Sequence, residues 1–201
     1  MKTLLQKTFA KLDTPWKIQE FVSNIPYNPL DNCQSAEKVL IKNKAHCLEG
    51  SFVAAAALEN LGHEPRLLHL RAHRDDDHAV VLFQEKGLWG AIGKSNTTLL
   101  SWRQPYYRDL QELVMSYFPF YFNTKGQLSL CEWAGPIELN RFKKWNWKTG
   151  DDDLSELDQQ LFKVKGHKIF TPRAIEKLPK VTPLLNAACF LGANKKGLYK
   201  V

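Results

Sequence analysis

The stretch between residues 47 and 78 constrains this chain more than any other. Cys47 opens a run of small and apolar residues that predicts a helix to about Leu61, with Gly62 as its C-cap. His78 follows in Asp-Asp-Asp-His-Ala-Val-Val-Leu-Phe. A helix N-terminus presents unpaired backbone N–H groups and the positive end of the helix dipole, which lower the pKa of a thiol and offer a donor to an oxyanion. The order therefore suggests thiol chemistry, with His78 completing an ion pair with the Cys47 thiolate.

Five short segments around this stretch resemble one protein family. They are residues 47–50, 54–58, 61–65, 78–81 and 87–89. In this order they resemble the core of transglutaminase-like proteins, which are circularly permuted relatives of papain-type cysteine proteases. The resemblance covers roughly residues 33–100. It implies an α+β, papain-like fold in which the helix bearing Cys47 packs on an antiparallel sheet.

The resemblance also implies roles for two side chains. Cys47 would be the nucleophile, and His78 would act as general base and then as general acid toward the leaving group. The family usually places an aspartate shortly after the tryptophan of its last core strand. Here Trp89 is followed by Gly-Ala-Ile-Gly-Lys-Ser-Asn, so the third catalytic residue has to come from another residue type.

The third group should accept a hydrogen bond from the histidine and fix its tautomer. Asn96 is our first candidate, because an asparagine amide has this role in papain-like Cys-His-Asn arrangements, and Ser95 is the second. Asp76 is an alternative, since it would share a face with His78 if the strand began early.

The hairpin between residues 78–83 and 88–92 gives a geometric expectation for this third group. A two-residue loop at Glu85 and Lys86 places Gly93 opposite His78, and a three-residue loop places Lys94 there. The residues that can touch His78 are therefore expected between about positions 93 and 96.

Other residues are alternatives to His78 or candidates for stabilising the oxyanion. His46 adjoins Cys47, but we expect it to be an exposed loop histidine. The His69 and His73 spacing would favour a metal only on a helix, and the surrounding sequence looks extended, so no metal site is predicted. The backbone N–H of Cys47 can be one oxyanion donor, and the second candidates remain open, namely Gln34, Asn43 and Tyr27.

Length and composition are compatible with one compact unit. A chain of 201 residues with 44% hydrophobic residues can bury a substantial core. No signal peptide and no apolar run of membrane-spanning length is evident, so we expect a cytoplasmic protein without a membrane partner. The four cysteines are scattered and form no Cys-x-x-Cys pair, which indicates reduced thiols.

The charge is concentrated in the last part of the chain. Residues 163–201 contain nine lysines and arginines against one acidic residue, a local net charge of +8, whereas residues 1–162 contain nineteen against twenty. We therefore expect a transglutaminase-like domain over residues 1–162 and a basic C-terminal extension over residues 163–201, packed on the same domain.

The remaining patterns predict further elements. They are helices over residues 14–22 and 35–42, a strand over 66–71, a helix over 107–122, strands over 128–133 and 136–147, and a short helix over 154–162.

We expect cysteine-dependent acyl transfer at an amide or ester bond, with hydrolysis by a peptidase or amidase favoured over transamidation. The substrate would be a peptide or another amide or ester, and neither a metal nor an organic cofactor is implied. The alternative is a catalytically inactive transglutaminase-like module that binds a peptide or, through its basic tail, a nucleic acid. Nucleic acid is not an expected partner of the favoured enzyme.

Overall fold

A computed structural model describes residues 3–30 and 32–201 and has an α+β architecture. Its centre is a six-stranded antiparallel sheet with strand order β4-β3-β2-β1-β5-β6. The strands are β1 (Arg66–Ala72), β2 (His78–Glu85), β3 (Leu88–Gly93), β4 (Arg103–Tyr107), β5 (Leu130–Glu138) and β6 (His167–Lys168).

Eight α-helices surround the sheet in this part of the chain. They are α1 (Leu4–Phe9), α2 (Pro15–Asn24), α3 (Ala36–Lys42), α4 (Cys47–Asn60), α5 (Leu110–Tyr117), α6 (Ser155–Phe162), α7 (Pro172–Ile175) and α8 (Pro183–Cys189). Short 3₁₀ segments occupy Phe118–Phe120, Leu139–Trp145 and Lys195–Gly197.

Both faces of the central strands are buried. Leu67 and Val81 face a layer built from α1 to α4 and α6, whereas Leu68 and Val80 face a layer that contains α5. A strand buried on both faces needs apolar residues at consecutive positions. This explains why residues 78–83 form a continuous apolar run instead of an alternating one.

The small residues of α4 allow this helix to lie close to the sheet. All of residues 48–58 are buried. A Cβ atom on Gly50 would lie 2.3 Å from the Cβ atom of Lys94, in the loop that follows β3. The hydroxyl of Ser51 donates to the carbonyl of Ala79 at 3.0 Å. Gly50 and Ser51 thus fix the first turn of α4, and Cys47 with it, against the start of β2.

Most of the predicted elements are confirmed, and their end signals have the expected form. The hydroxyl of Thr14 caps α2, which has Pro15 at its first position, and the hydroxyl of Ser35 caps α3. Helix α4 ends before Gly62, which has a φ of 90°. Helix α6 and strands β1, β2 and β3 also lie where the patterns predict them.

The predicted register of the β2–β3 hairpin is wrong. Glu85 pairs with Leu88, so the two-residue loop is Lys86 and Gly87, and Val80 pairs with Gly93. Both loop residues have positive φ angles, 51° and 80°. A type I′ hairpin turn requires this at both central positions, which favours glycine at the second. Continued beyond β3, the observed register places residue 95 opposite His78.

Two predictions for the second half of the chain are also wrong. Residues 128–133 and 136–147 do not form two strands, because β5 runs continuously from Leu130 to Glu138 and a 3₁₀ segment follows it. Gly135 and Pro136 lie within an irregularity of the β1–β5 pairing, which is where a strand tolerates proline. The predicted helix over 107–122 is shorter, because Asp109 caps α5 only from residue 110 onward.

Residues 163–201 lie against the rest of the described chain. Strand β6 pairs with β5 at the edge of the sheet. The N–H of Thr98 donates to the carbonyl of Cys189 at 3.0 Å, and the N–H of Val181 donates to the carbonyl of Gly126 at 3.0 Å. Within residues 3–30 and 32–201, no helix has both the length and the apolar character to cross a membrane. All four cysteines are free thiols.

Candidate active site

Cys47 is the first residue of α4 and lies beside the start of β2. Its sulfur donates to the carbonyl of Asp77 at 3.9 Å. The backbone N–H of Cys47 finds no acceptor among the residues that the structure describes, as expected for the first position of a helix. A thiol and a backbone N–H without an acceptor among the described residues are therefore side by side.

The pKa of the Cys47 thiol is raised to about 12, chiefly because the sulfur is buried. The N–H of Ala79 and that of Leu48 act against this rise, while the carboxylates of Asp158 and Asp76 add to it. The depressed pKa expected from the helix N-terminus is thus wrong, because the effect of burial outweighs that of the two backbone N–H groups. Cys47 is a neutral thiol at pH 7 in this conformation.

His78 is held in one tautomer by a backbone group. Its Nε2 donates to the carbonyl oxygen of Leu100 at 2.9 Å, and a carbonyl can only accept. Burial lowers the pKa of His78 to about 4, so the ring is neutral at pH 7. A neutral ring with its proton on Nε2 has an unprotonated Nδ1, which is the atom available to act as a base.

The side chain of His78 starts from the face of the sheet opposite to the one on which Cys47 lies. His78 pairs with Leu70 and shares its face of the sheet, whereas α4 packs on the opposite face against Ala79. The side chains of Cys47 and His78 make no direct hydrogen bond among the described residues. Both side chains nevertheless line the same two cavities, which lie at the N-terminal end of β2.

The first two candidates for the third residue, Asn96 and Ser95, make no hydrogen bond to His78 that would orient the ring. The amide of Asn96 binds the backbone of residues 194 and 197 instead. The hydroxyl of Ser95 lies 2.9 Å from that of Thr97. The carbonyl of Asp76 accepts a hydrogen bond from Tyr121 at 2.8 Å. The orienting position is taken by the main-chain carbonyl of Leu100, which no side-chain pattern could have revealed.

The two cavities meet at Cys47. The larger has a volume of about 360 Å³, which falls in the range of ligand-binding pockets, and Tyr27, Cys47, His69 and Asp77 contribute to its lining. The smaller, of about 60 Å³, is bordered by Cys47, His78 and Asn96 among others. Because Cys47 and His78 line both cavities, we describe the two together as one cleft.

A histidine–carboxylate pair that the sequence analysis missed also lies in this cleft. Nε2 of His69 is 3.1 Å from Oδ2 of Asp77. His69 pairs with Ala79 across β1 and β2, so its side chain is on the face of the sheet that α4 covers. An antiparallel pairing of β1 with β2 would have brought His69 and Asp77 together. The sequence analysis considered His69 only for its spacing to His73, as a possible metal ligand. His73 itself contacts Glu176 at 2.8 Å.

Of the three candidates for a second oxyanion donor, only Tyr27 lines the cleft. The nitrogen of the Gln34 amide donates to Glu49 at 2.9 Å, and Asn43 ends α3 in a left-handed conformation. Tyr27 lines both cavities, and burial holds its pKa far above the ordinary value, so its hydroxyl remains a donor. The bridge between Tyr27 and Ala45 holds the ring beside the start of α4.

Glu49 links two segments next to the cleft through hydrogen bonds. The sequence had given no indication of this role. Its carboxylate is fully buried and accepts three hydrogen bonds, from Asn28 at 3.0 Å, from Gln34 at 2.9 Å and from the backbone N–H of His46 at 2.8 Å. These bonds tie the segment around Tyr27 to the first turn of α4. His46 is thus half-buried at the helix entry and is not the exposed loop residue that we expected.

Among residues 3–30 and 32–201, no group of three His, Cys, Asp or Glu side chains is arranged to hold a metal ion. A comparison with protein-family models finds no match to this chain, and neither does a comparison with curated proteins.

The lowered pKa of His78 predicts how a His78→Gln variant differs from the wild type. The unfolded chain takes up a proton near the ordinary pKa of 6.5, whereas the folded chain does so only near 4. The wild type therefore loses stability as pH falls between these values, by about 3 kcal/mol in total. Glutamine does not titrate. The free energy of unfolding of the variant, relative to that of the wild type, should therefore increase by that amount when the pH is lowered from 7 to 4. Urea unfolding at both pH values tests this, and a constant difference would contradict it.

Proposed function

We propose that this protein is a cysteine-dependent acyl-transfer enzyme with a papain-like, transglutaminase-like core that acts on amide or ester bonds. One observation carries the proposal. Cys47 and His78 border the same cleft, and the bond from His78 Nε2 to the Leu100 carbonyl leaves Nδ1 as a base.

The proposed reaction needs only groups that border the cleft. The Cys47 sulfur attacks the carbonyl carbon while Nδ1 of His78 takes the thiol proton. The backbone N–H of Cys47 and the hydroxyl of Tyr27 stabilise the oxyanion. The bond from carbon to the leaving nitrogen or oxygen then breaks, and His78 returns the proton to the leaving group. Water, activated by the same imidazole, releases the acid and regenerates the thiol.

The acid–base values favour a general-base mechanism over a preformed ion pair. With a Cys47 pKa of about 12 and a His78 pKa of about 4, both groups are neutral at pH 7. Proton transfer therefore accompanies attack on the substrate. Hydrolysis is favoured over transamidation, because no feature of the cleft selects an amine over water.

The test is formation of an acyl adduct. The protein is incubated with a small activated ester, and the adduct on Cys47 is identified by mass spectrometry. We expect Cys47→Ala to form none at this position and His78→Ala to slow acylation by about 10² to 10⁴. The matched variant His69→Gln removes the other histidine of the cleft and should change the rate little. Equal losses in the two histidine variants would show that the base is misassigned.

A non-catalytic module is the second candidate, and the neutral, buried thiol favours it. Such a module would bind a peptide in the same cleft or a nucleic acid through its basic residues 163–201. Absence of any acyl adduct, together with retained binding of a peptide or a polyanion, would favour the module. Binding of polyanions through the tail should weaken steeply with salt.

A further inference from the structure

Part of the segment formed by residues 194–198 lines the cleft that contains Cys47. Gly197 and Leu198 line both cavities, and Lys196 lines the larger one. The segment forms a short 3₁₀ turn in which the N–H of Gly197 donates to the carbonyl of Asn194 at 3.0 Å. The thiol is therefore bordered by a peptide segment of the chain itself.

Asn96 contacts the backbone of this turn. Its Nδ2 donates to the carbonyls of Asn194 and Gly197, each at 3.0 Å, and its Oδ1 accepts from the N–H of Asn194 at 2.8 Å. Both ends of one side-chain amide are thus used on a single peptide turn. Contacts of this kind recognise the course of a peptide backbone with little regard to its side chains.

Tyr27 restricts position 197 to glycine. A Cβ atom there would lie 2.6 Å from Cε1 and 3.0 Å from Cδ1 of the Tyr27 ring. Gly197 does not have a φ angle in the left-handed region, so available space is what selects glycine. Hydrogen bonds from Asn28 to Ala45 and from Ala45 to Pro26 hold the backbone on both sides of Tyr27, so the contact can be relieved only by rotation of its side chain or by movement of the turn.

We propose that the cleft beside Cys47 is a peptide-binding site that accepts a turn with glycine facing Tyr27, and that residues 194–198 occupy this site as a built-in ligand. The inference rests on the proposed function, since it names a peptide as the substrate class for the same thiol. Because the tether supplies a high effective concentration, a free peptide binds the emptied cleft more weakly than the attached segment does.

The test measures how accessible the thiol is. The rate of alkylation by iodoacetamide is determined, and peptide mapping assigns the modification to Cys47. Two variants should empty the cleft, namely Gly197→Ala in the full chain and a chain that lacks residues 194–201. Overpacking of the kind that Gly197→Ala introduces commonly shifts an equilibrium by about tenfold or more, so we expect alkylation to accelerate by at least about that factor. Lys200→Ala changes an exposed side chain that follows the segment 194–198 and should leave the rate unchanged.

A synthetic peptide, Asn-Lys-Lys-Gly-Leu-Tyr-Lys-Val, then tests recognition directly. At millimolar concentration it should slow the alkylation of the truncated chain, whereas the same peptide with alanine in place of glycine should not. Unchanged alkylation in Gly197→Ala and in the truncated chain would overturn the occupancy. Failure of the peptide to protect, or equal protection by both peptides, would overturn the glycine-selective site.

These readouts separate the inference from the proposed function. If Cys47 becomes accessible and is protected by the peptide but forms no acyl adduct, the peptide site stands and the enzyme proposal fails. If an acyl adduct forms equally fast with and without residues 194–201, the enzyme proposal stands and the built-in ligand is refuted. Thermal unfolding of each variant confirms that the compared proteins are folded.

Discussion

Replacing Glu49 with alanine should lower the free energy of unfolding by about 3 to 5 kcal/mol. The substitution leaves three buried donors without an acceptor, on Asn28, Gln34 and the backbone of His46. Each unsatisfied donor costs about 1 to 3 kcal/mol, and relief from burying a carboxylate offsets part of the sum. Equilibrium unfolding in urea measures the loss.

Two further variants sharpen this prediction. Glu20→Ala removes an exposed carboxylate from α2 and should change stability by less than about 0.5 kcal/mol. Glu49→Gln keeps one acceptor oxygen but turns an amide N–H₂ toward the donors, so it should fall between the wild type and Glu49→Ala. A loss below about 1 kcal/mol in Glu49→Ala would mean that water or a shifted side chain replaces the carboxylate, and the network would then not organise the site.

The parts of the fold with local signals were predictable from the sequence. Thr14 and Ser35 mark helix starts because a hydroxyl that caps a backbone N–H acts within three residues. The small and apolar residues after Cys47 indicated a helix there, and its packing on an antiparallel sheet was expected from the family resemblance. The apolar runs of β2 and β3 were sufficient to identify a hairpin, since the loop between them is short.

The structural predictions that were wrong depended on contacts between residues far apart in sequence or on the backbone angles of a turn. The register error came from putting Glu85 and Lys86 in the loop, when the positive φ angles that the turn requires favour Gly87 as its second residue. The break expected near Pro136 did not occur, because β1 pairs with β5 on both sides of a bulge. Neither result can be read from periodicity within one segment.

The candidate site was predictable only in outline. Cys47 and His78 line a common cleft, but their acid–base state depends on burial, which the helix-dipole argument neglected. Asn96 does lie beside the cleft, where the resemblance led us to look for an orienting residue. Its partners are residues 194 and 197, about a hundred positions away, and no local pattern predicts that contact.

Three parts of the chain that are distant in sequence therefore determine what reaches the thiol. The segment at Tyr27 forms one wall, the start of α4 supplies Cys47, and Gly197 and Leu198 of the turn line both cavities beside them. Glu49 links the first two through Asn28 and the backbone of His46. Since the Tyr27 ring also lies against Gly197, one side chain would have two roles: it would exclude a larger residue at position 197 and, in the proposed mechanism, donate to the oxyanion.

These two roles of Tyr27 can be separated by removing only its hydroxyl. Tyr27→Phe keeps the ring, so Gly197 should still cover the cleft and the alkylation rate of Cys47 should stay the same. Loss of one oxyanion donor typically lowers the rate of acyl transfer by about 10² to 10³. We therefore expect the variant to form the acyl adduct on Cys47 about a hundredfold more slowly.

The comparison of the two reactions is what makes the Tyr27 prediction specific. Alkylation by iodoacetamide displaces iodide and forms no oxyanion, whereas attack on an ester carbonyl does. A Tyr27→Phe variant that loses both reactions to the same extent would indicate a change in the accessibility or pKa of Cys47 rather than a lost donor. If neither reaction changes, the oxyanion must be stabilised by the Cys47 backbone N–H and a group other than Tyr27. Only the selective loss of acylation supports the assignment of the phenol as the second donor.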